Sequence, residues 1–181
     1  MSKMFRPSLL PGEQVLSMIV RGLRLSEHRK AGCEQRAHTS MNWPLGPQAI
    51  LDPAILTVLK NIECINERGR VLRQHSLLGF YSHSLSQSQL RDFVRTNRIN
   101  VRKQLKVAHI SKLQSSQGWR RCNECVAEDI RKSGVSYWHT EHQLPTSLTC
   151  FRHPSKLLIQ SCEHCGFMIR DLKKKPTPTD R

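Results

Sequence analysis

Acidic side chains are scarce in this sequence, and so are aromatic ones. Of 181 residues, 14 are Asp or Glu against 29 Lys or Arg, a formal charge of +15 at pH 7, and aromatics make up 6%. That imbalance argues against a cationic ligand and favours an anionic partner, nucleic acid first among them. The plainer reading is a basic but inert surface. Long apolar runs are missing as well. The opening MSKMFRPSLLPGEQVLSMIVRGL starts with Lys3 and Arg6 in the manner of a signal peptide, but Pro11, Gly12 and Glu13 interrupt its apolar run before it reaches h-region length. No other window approaches the roughly 18 apolar residues of a membrane span. The sequence therefore reads as cytoplasmic, with no membrane partner and with thiols that stay reduced. Seven cysteines, an odd number, agree with that better than with a disulfide framework. No G-x-x-x-x-G-K loop and no G-x-S-x-G elbow occurs, so ATP hydrolysis and serine-hydrolase chemistry have no visible seat.

The residues that are present divide the chain unevenly. Residues 13–25 carry Val15, Leu16, Ile19, Val20 and Leu23 at helical spacing after the Pro11–Gly12 turn. Asp52 as cap and Pro53 at the first helical position open a second helix, which Ile55, Leu56, Leu59, Ile62 and Ile65 carry toward Asn66. Ser86 caps a third, QSQLRDFVRTN, and VRKQLKVAHISKL forms a fourth after a break at 97–100. The expected fold is mainly α: a helical N-terminal region over 1–115, a small irregular zinc-binding module of finger or ribbon type over 116–170, and a Pro- and Thr-rich tail or linker over 171–181. The tail suits a chain that continues into a longer protein.

The cysteines crowd into the last third. Cys122 and Cys125 form one C-x-x-C pair, Cys150 and His153 a C-x-x-H pair, and Cys162 and Cys165 a second C-x-x-C. Zinc takes four soft or borderline donors at tetrahedral corners, and a C-x-x-C turn sets two sulfurs on one side of the ion. Cys122, Cys125, Cys150 and His153 make one complete set. Cys162 and Cys165 then await partners, with His164, His142 and Cys64 available, or they join Cys122 and Cys125 in an all-thiolate ribbon that leaves Cys150 and His153 spare. The bland alternative is a group of plain buried thiols. A catalytic reading starts from His139 and Glu141, an H-x-E pair followed by Cys162 and Cys165, as in zinc deaminases; Ser161 replaces the proline of that signature and the interval is tight. Four protein donors leave no position for substrate or activated water, so a structural ion and no enzymatic activity are expected.

The same stretch carries a likeness. RRCNECVAEDIRKSGVSYWHTEHQLPTSLTCFRHPSKLLIQSCEHC resembles the signature of the TniQ/TnsD family of DNA-transposition proteins, through Cys122, Cys125, Ala127, Glu128, Tyr137, Trp138, Gln143, Leu144, Pro145, Cys150, His153, Cys162 and Cys165. LLPGEQVLSMIVRGL is similar to that family's opening, and QHSLLGFYSHSL to a segment of its TnsD branch. Two departures stand out: His142 occupies a position where the family commonly has Trp, and many members continue with further helical domains. The resemblance implies a non-enzymatic adaptor that recognises a site on DNA, or an RNA-guided CRISPR effector complex already bound there, and recruits an ATPase transposition regulator of the TnsC type. A dimer is compatible with that role. The competing reading is a zinc-containing DNA-binding transcriptional regulator with no link to transposition.

For the nucleic-acid face, Arg91, Arg95, Arg98 and Arg102 recur at i, i+4, i+7 and i+11, and Lys103, Lys106, Lys112, Arg120 and Arg121 extend the run. Only Asp92 opposes them between 91 and 121. Guanidinium groups suit phosphate oxygens through paired hydrogen bonds. The helices on either side of 97–100 admit a helix-turn-helix with 101–113 as reader, although a solvated charged face would have the same sequence.

Overall fold

The computed structural model describes residues 7–28, 65–95 and 118–161. The expected helices over 52–66 and 101–113, the helix-turn-helix, Cys64, Cys162, His164, Cys165 and the tail all lie outside the described residues. Within them the architecture is helical and carries three isolated β-bridges, Glu13–His139, Arg121–Ile159 and Thr149–Leu157.

Helix α1, Val15–His28, runs three residues further than the apolar spacing indicates. It follows a tight turn closed by Glu13 N donating to Leu10 O at 3.0 Å, with Gly12 at φ +72°, a conformation that L side chains rarely adopt. Val15, Leu16, Ile19 and Val20 of the expected inward face are buried, and Met18 with them; the side chain of Leu23 lies outside the description. What it packs beside lies far away in sequence. Gln14 N donates to Trp138 O at 2.8 Å, Thr140 N donates to Gly12 O at 2.8 Å, and Trp138 N donates to Ser17 Oγ at 3.1 Å. Tyr137 Oη adds a bond to Pro11 O at 3.0 Å.

Glu13 sits fully buried in this seam. An isolated carboxylate there would cost several kcal/mol. Its two oxygens instead accept from Leu10 N at 3.0 Å, Ser17 Oγ at 3.2 Å, and Arg21 Nε and Nη2 at 3.1 and 2.8 Å. The Gly-Glu of the opening is thus the turn and the buried anchor that fix where α1 begins.

Helix α2, Ile65–His75, begins where the apolar spacing of 55–65 places a helix end. It has few apolar residues and Gly69 at its centre, so periodicity gives little sign of it. Tertiary packing holds it: Val71 and Leu72 are buried with Leu77, Leu78 and Tyr81 of the following segment. Ser76 Oγ donates to Leu72 O at 2.5 Å and accepts from Leu78 N at 3.1 Å, which turns the chain into the short helix α3, Leu78–Tyr81, and the 3-10 turn Ser82–Ser84. Gly79 stands against the end of α2, where an added Cβ would fall 2.3 Å from the Arg73 carbonyl oxygen. Helix α4, Gln87–Val94, opens with Ser86 as the sequence indicates, in a reciprocal capping box: Gln89 N donates to Ser86 Oγ at 3.3 Å and Ser86 N to Gln89 Oε1 at 2.7 Å. His75 Nδ1 lies 2.7 Å from Glu13 O and ties α2 to the opening turn.

Helix α5, Asn123–Ser133, ends at Gly134 in the left-handed conformation. Trp119 and Trp138 are fully buried, their ring centroids 5.5 Å apart. With Tyr137 they are core.

Candidate metal centre

Cys122 precedes α5 in extended conformation and Cys125 lies in its first turn. The three-residue interval therefore places both sulfurs on one side of the helix start. The second pair comes from a tight knuckle: Cys150 N donates to Lys156 O at 2.9 Å, Lys156 N to His153 O at 2.8 Å, and Leu158 N to Leu148 O at 2.8 Å. Arg121 and Ile159 exchange both backbone bonds, at 3.0 and 2.8 Å, which draws the knuckle alongside Cys122.

The four donor atoms of Cys122, Cys125, Cys150 and His153 all lie within 4.8 Å of one another. Cys125 Sγ is 3.5 Å from Cys150 Sγ, and His153 Nδ1 lies 3.7, 3.4 and 3.7 Å from the sulfurs of Cys122, Cys125 and Cys150. Zinc–sulfur bonds of about 2.3 Å and a zinc–nitrogen bond of about 2.0 Å give tetrahedral edges of roughly 3.5–3.8 Å. The donor set and its spacing fit one tetrahedral ion, and the three thiols are buried. The pairing that would leave Cys150 and His153 spare is not the one these residues adopt.

The surroundings orient the donors. His153 Nε2 lies 3.2 Å from Glu128 Oε1, and Glu128 also accepts from Lys132 Nζ at 3.2 Å. The Lys132 and His153 hydrogen bonds lower the Glu128 pKa, so it is a carboxylate that accepts the Nε2 proton and leaves the Nδ1 lone pair facing the sulfurs. Burial pushes the Cys125 thiol up, and the neighbouring Cys150 adds to this. Burial also opposes ionisation of Cys150, but hydrogen bonds from the His153 backbone and side chain outweigh it and lower its pKa. Burial raises Cys122 as it does Cys125. Two thiols are thus held protonated in the metal-free cluster, so binding a divalent cation releases protons.

His142, the departure from the expected Trp, is buried with its Nε2 3.4 Å from Cys150 Sγ. Burial, followed by the nearby His139 and Arg152, pushes its pKa down to about 3. It is therefore a neutral imidazole placed to donate to the sulfur. It packs on the ring of His139, centroids 4.9 Å apart, so the position keeps a packing contact and gains a polar one. His139 itself bonds Asp129 Oδ2 at 2.9 Å and belongs to no metal cluster among the described residues; Cys162 and Cys165 of the deaminase arrangement lie outside them.

In the sequence, Glu128 and Gln143 stand out only through the family likeness; the structure gives each a position that explains it. Gln143 is fully buried. Its Oε1 accepts from Arg120 N at 2.9 Å and its Nε2 donates to the carbonyls of Arg120 and His139 at 2.8 and 3.0 Å. One side chain thus fastens the strand entering Cys122 to the turn entering the knuckle.

The basic residues meet different fates. Arg120 is buried, its guanidinium donating to the carbonyl oxygens of Ser147 and Leu144. It is a brace inside the module, and its terminal nitrogens are committed to backbone oxygens instead of phosphate. Arg121 is half-buried; Arg91 and Arg95 are exposed on α4 and just beyond its end. Arg98, Arg102, Lys103, Lys106 and Lys112 lie outside the described residues.

These features define a helix-rich protein with a Cys3His cluster that could hold a metal ion, its opening helix bonded into the part that carries the cluster. The TniQ family model matches residues 4–157, and the chain belongs to the TniQ family, a family of transposition target-site selection. No curated protein and no solved structure gives a significant match. No helix among the described residues is long and apolar enough to cross a membrane.

Proposed function

We propose that this protein is a non-enzymatic adaptor of transposition, which engages target DNA or a targeting complex already on DNA and recruits an ATP-dependent regulator of the TnsC type. The observation that carries this reading is the closure of the metal centre. Three buried sulfurs and an oriented imidazole fill four positions, so the ion has no vacancy for a substrate or an activated water. Zinc is the ion that this donor set suits. When bound, it cross-links α5 to the knuckle and is architectural.

The charge distribution suits a nucleic-acid partner. Assembly is tested by pull-down of the ATPase regulator from the same transposon, with target DNA and ATP present. Retention that depends on the adaptor supports the reading. Binding to a promoter-like sequence with no retention of the ATPase would replace it with a plain DNA-binding regulator.

A further inference from the structure

Exposed positive charge without a carboxylate beside it is confined, among the described residues, to few places. Around the metal centre Lys132 pairs with Glu128 at 3.2 Å, Lys156 with Glu124 at 3.1 Å and Arg152 with Glu141 at 3.0 Å, while Arg131 stays exposed. Residues 65–95 hold five arginines against Glu67 and Asp92. Of these, Arg70 pairs with Glu67 at 3.4 Å, while Arg73, Arg91 and Arg95 are exposed and pair with none of the carboxylates whose side chains are described, a set that leaves out Asp92.

The packing of α2 on α4 gathers those three. A Cβ built on Gly69 would lie 3.5 and 3.7 Å from the Arg73 guanidinium nitrogens and 3.7 Å from a Val94 methyl. The Arg73 head group and Val94 therefore meet over the same spot, and Arg91 and Arg95 flank Val94 one helical turn apart. Arginines four apart on one helix repel each other. The fold brings a third from a neighbouring helix.

We propose that Arg73, Arg91 and Arg95 form a phosphate-binding face for a nucleic-acid backbone. This rests on the DNA-engaging reading above and adds α2 to it. Among the α4 side chains that are described, Gln87 and Ser88 are exposed and polar, as is the cap Ser86. Planar guanidiniums bind phosphate oxygens bidentately, and neutral polar groups beside them suit phosphate and sugar contacts.

The test uses the full, zinc-loaded chain and fluorescence anisotropy with labelled duplexes of about 30 base pairs, one DNA and one RNA, across about 50–200 mM salt. Arg73→Glu and the pair Arg91→Glu with Arg95→Glu should each weaken binding by about tenfold or more, and every phosphate left without its guanidinium should flatten the log–log salt slope by about 0.9. Arg73→Lys should retain most of the affinity. Lys156→Glu, on the metal side, should bind nearly as the parent does. Metal content and circular dichroism identify variants that failed to fold. Equal weakening on DNA and RNA, or weakening on either alone, supports the backbone interaction and says which duplex is read. Unchanged affinity and slope in folded Arg73→Glu, with the parent still binding, overturns this face and leaves the adaptor reading standing. A parent that binds neither duplex, or that polyglutamate displaces at equal charge, overturns this face as well, and the adaptor reading then stands or falls on the pull-down.

Discussion

The metal-bearing region and the α2–α4 region are both rich in positive charge, yet they use it in opposite ways. Around the metal site, several cations are consumed internally. Arg120 is buried on carbonyl oxygens, Arg21 is bonded to buried Glu13, and Lys132 steadies the carboxylate that orients His153. On α2 and α4, Arg73, Arg91 and Arg95 reach solvent, and no carboxylate whose side chain is described pairs with them. A count of Lys and Arg along the chain merges these two populations. Burial separates them, and it transfers Arg120 from recognition to architecture.

The largest effect that would sharpen this contrast is loss of the ion. Structural zinc sites carry apparent binding free energies on the order of 10–16 kcal/mol at neutral pH, more than a small module's packing supplies. Chelation, or Cys125→Ala, should therefore unfold residues 118–161. Because α1 is bonded to residues 137–140, protection from amide exchange should fall at 14–20 as well. Residues 71–81 should lose less; equal loss there would show a single cooperative unit and dissolve the distinction. Fluorescence of the neighbouring Trp119 and Trp138 gives a second readout.

Next in size is Arg120→Ala, which strips hydrogen bonds from two carbonyl oxygens and leaves a void beside Gln143. A decrease of about 2–4 kcal/mol in thermal or denaturant unfolding is expected, with nucleic-acid affinity unchanged in the folded fraction. A fall in affinity at full stability would return Arg120 to the recognition surface. Gly79→Ala forces a Cβ against the Arg73 carbonyl and should cost about 1–3 kcal/mol while displacing the end of α2, so stability and phosphate binding should fall together.

Glu128→Gln should weaken metal affinity by about 10–100-fold in chelator competition without unfolding the loaded protein, since it removes the carboxylate that fixes the His153 tautomer. The smallest change is Gly69→Ala. The added methyl would make only ordinary van der Waals approaches, and removing a mid-helix glycine should raise stability by about 0.5–1 kcal/mol with little effect on binding.

How much of this is legible in the sequence depends on whether a feature is local. The C-x-x-C and C-x-x-H spacings fix two donors each through one turn, so Cys122, Cys125, Cys150 and His153 can be grouped before any coordinates. Ser86 is visible as a cap because the residue that completes the capping box is three positions away. Helix α2 is not, because its stability comes from packing with Leu77, Leu78 and Tyr81 and its own apolar spacing is thin. Arg120 looks like surface because nothing local signals that Leu144 and Ser147 surround it. Glu128 carries a trace of its role: it lies three residues beyond Cys125 on a helix, on the side that faces the His of the second pair.

The seam between residues 12–17 and 137–140 also sets an order of events during synthesis. The partners of Gln14 and Ser17 emerge more than 120 residues after them, which at 5–20 residues per second is a delay of roughly 6–25 s. For that interval Val15, Leu16 and Ile19 have no native cover from the later segment, and Glu13 has only local partners. The nascent 13–20 stretch is thus open to chaperone capture until residues 118–161 have been translated and folded.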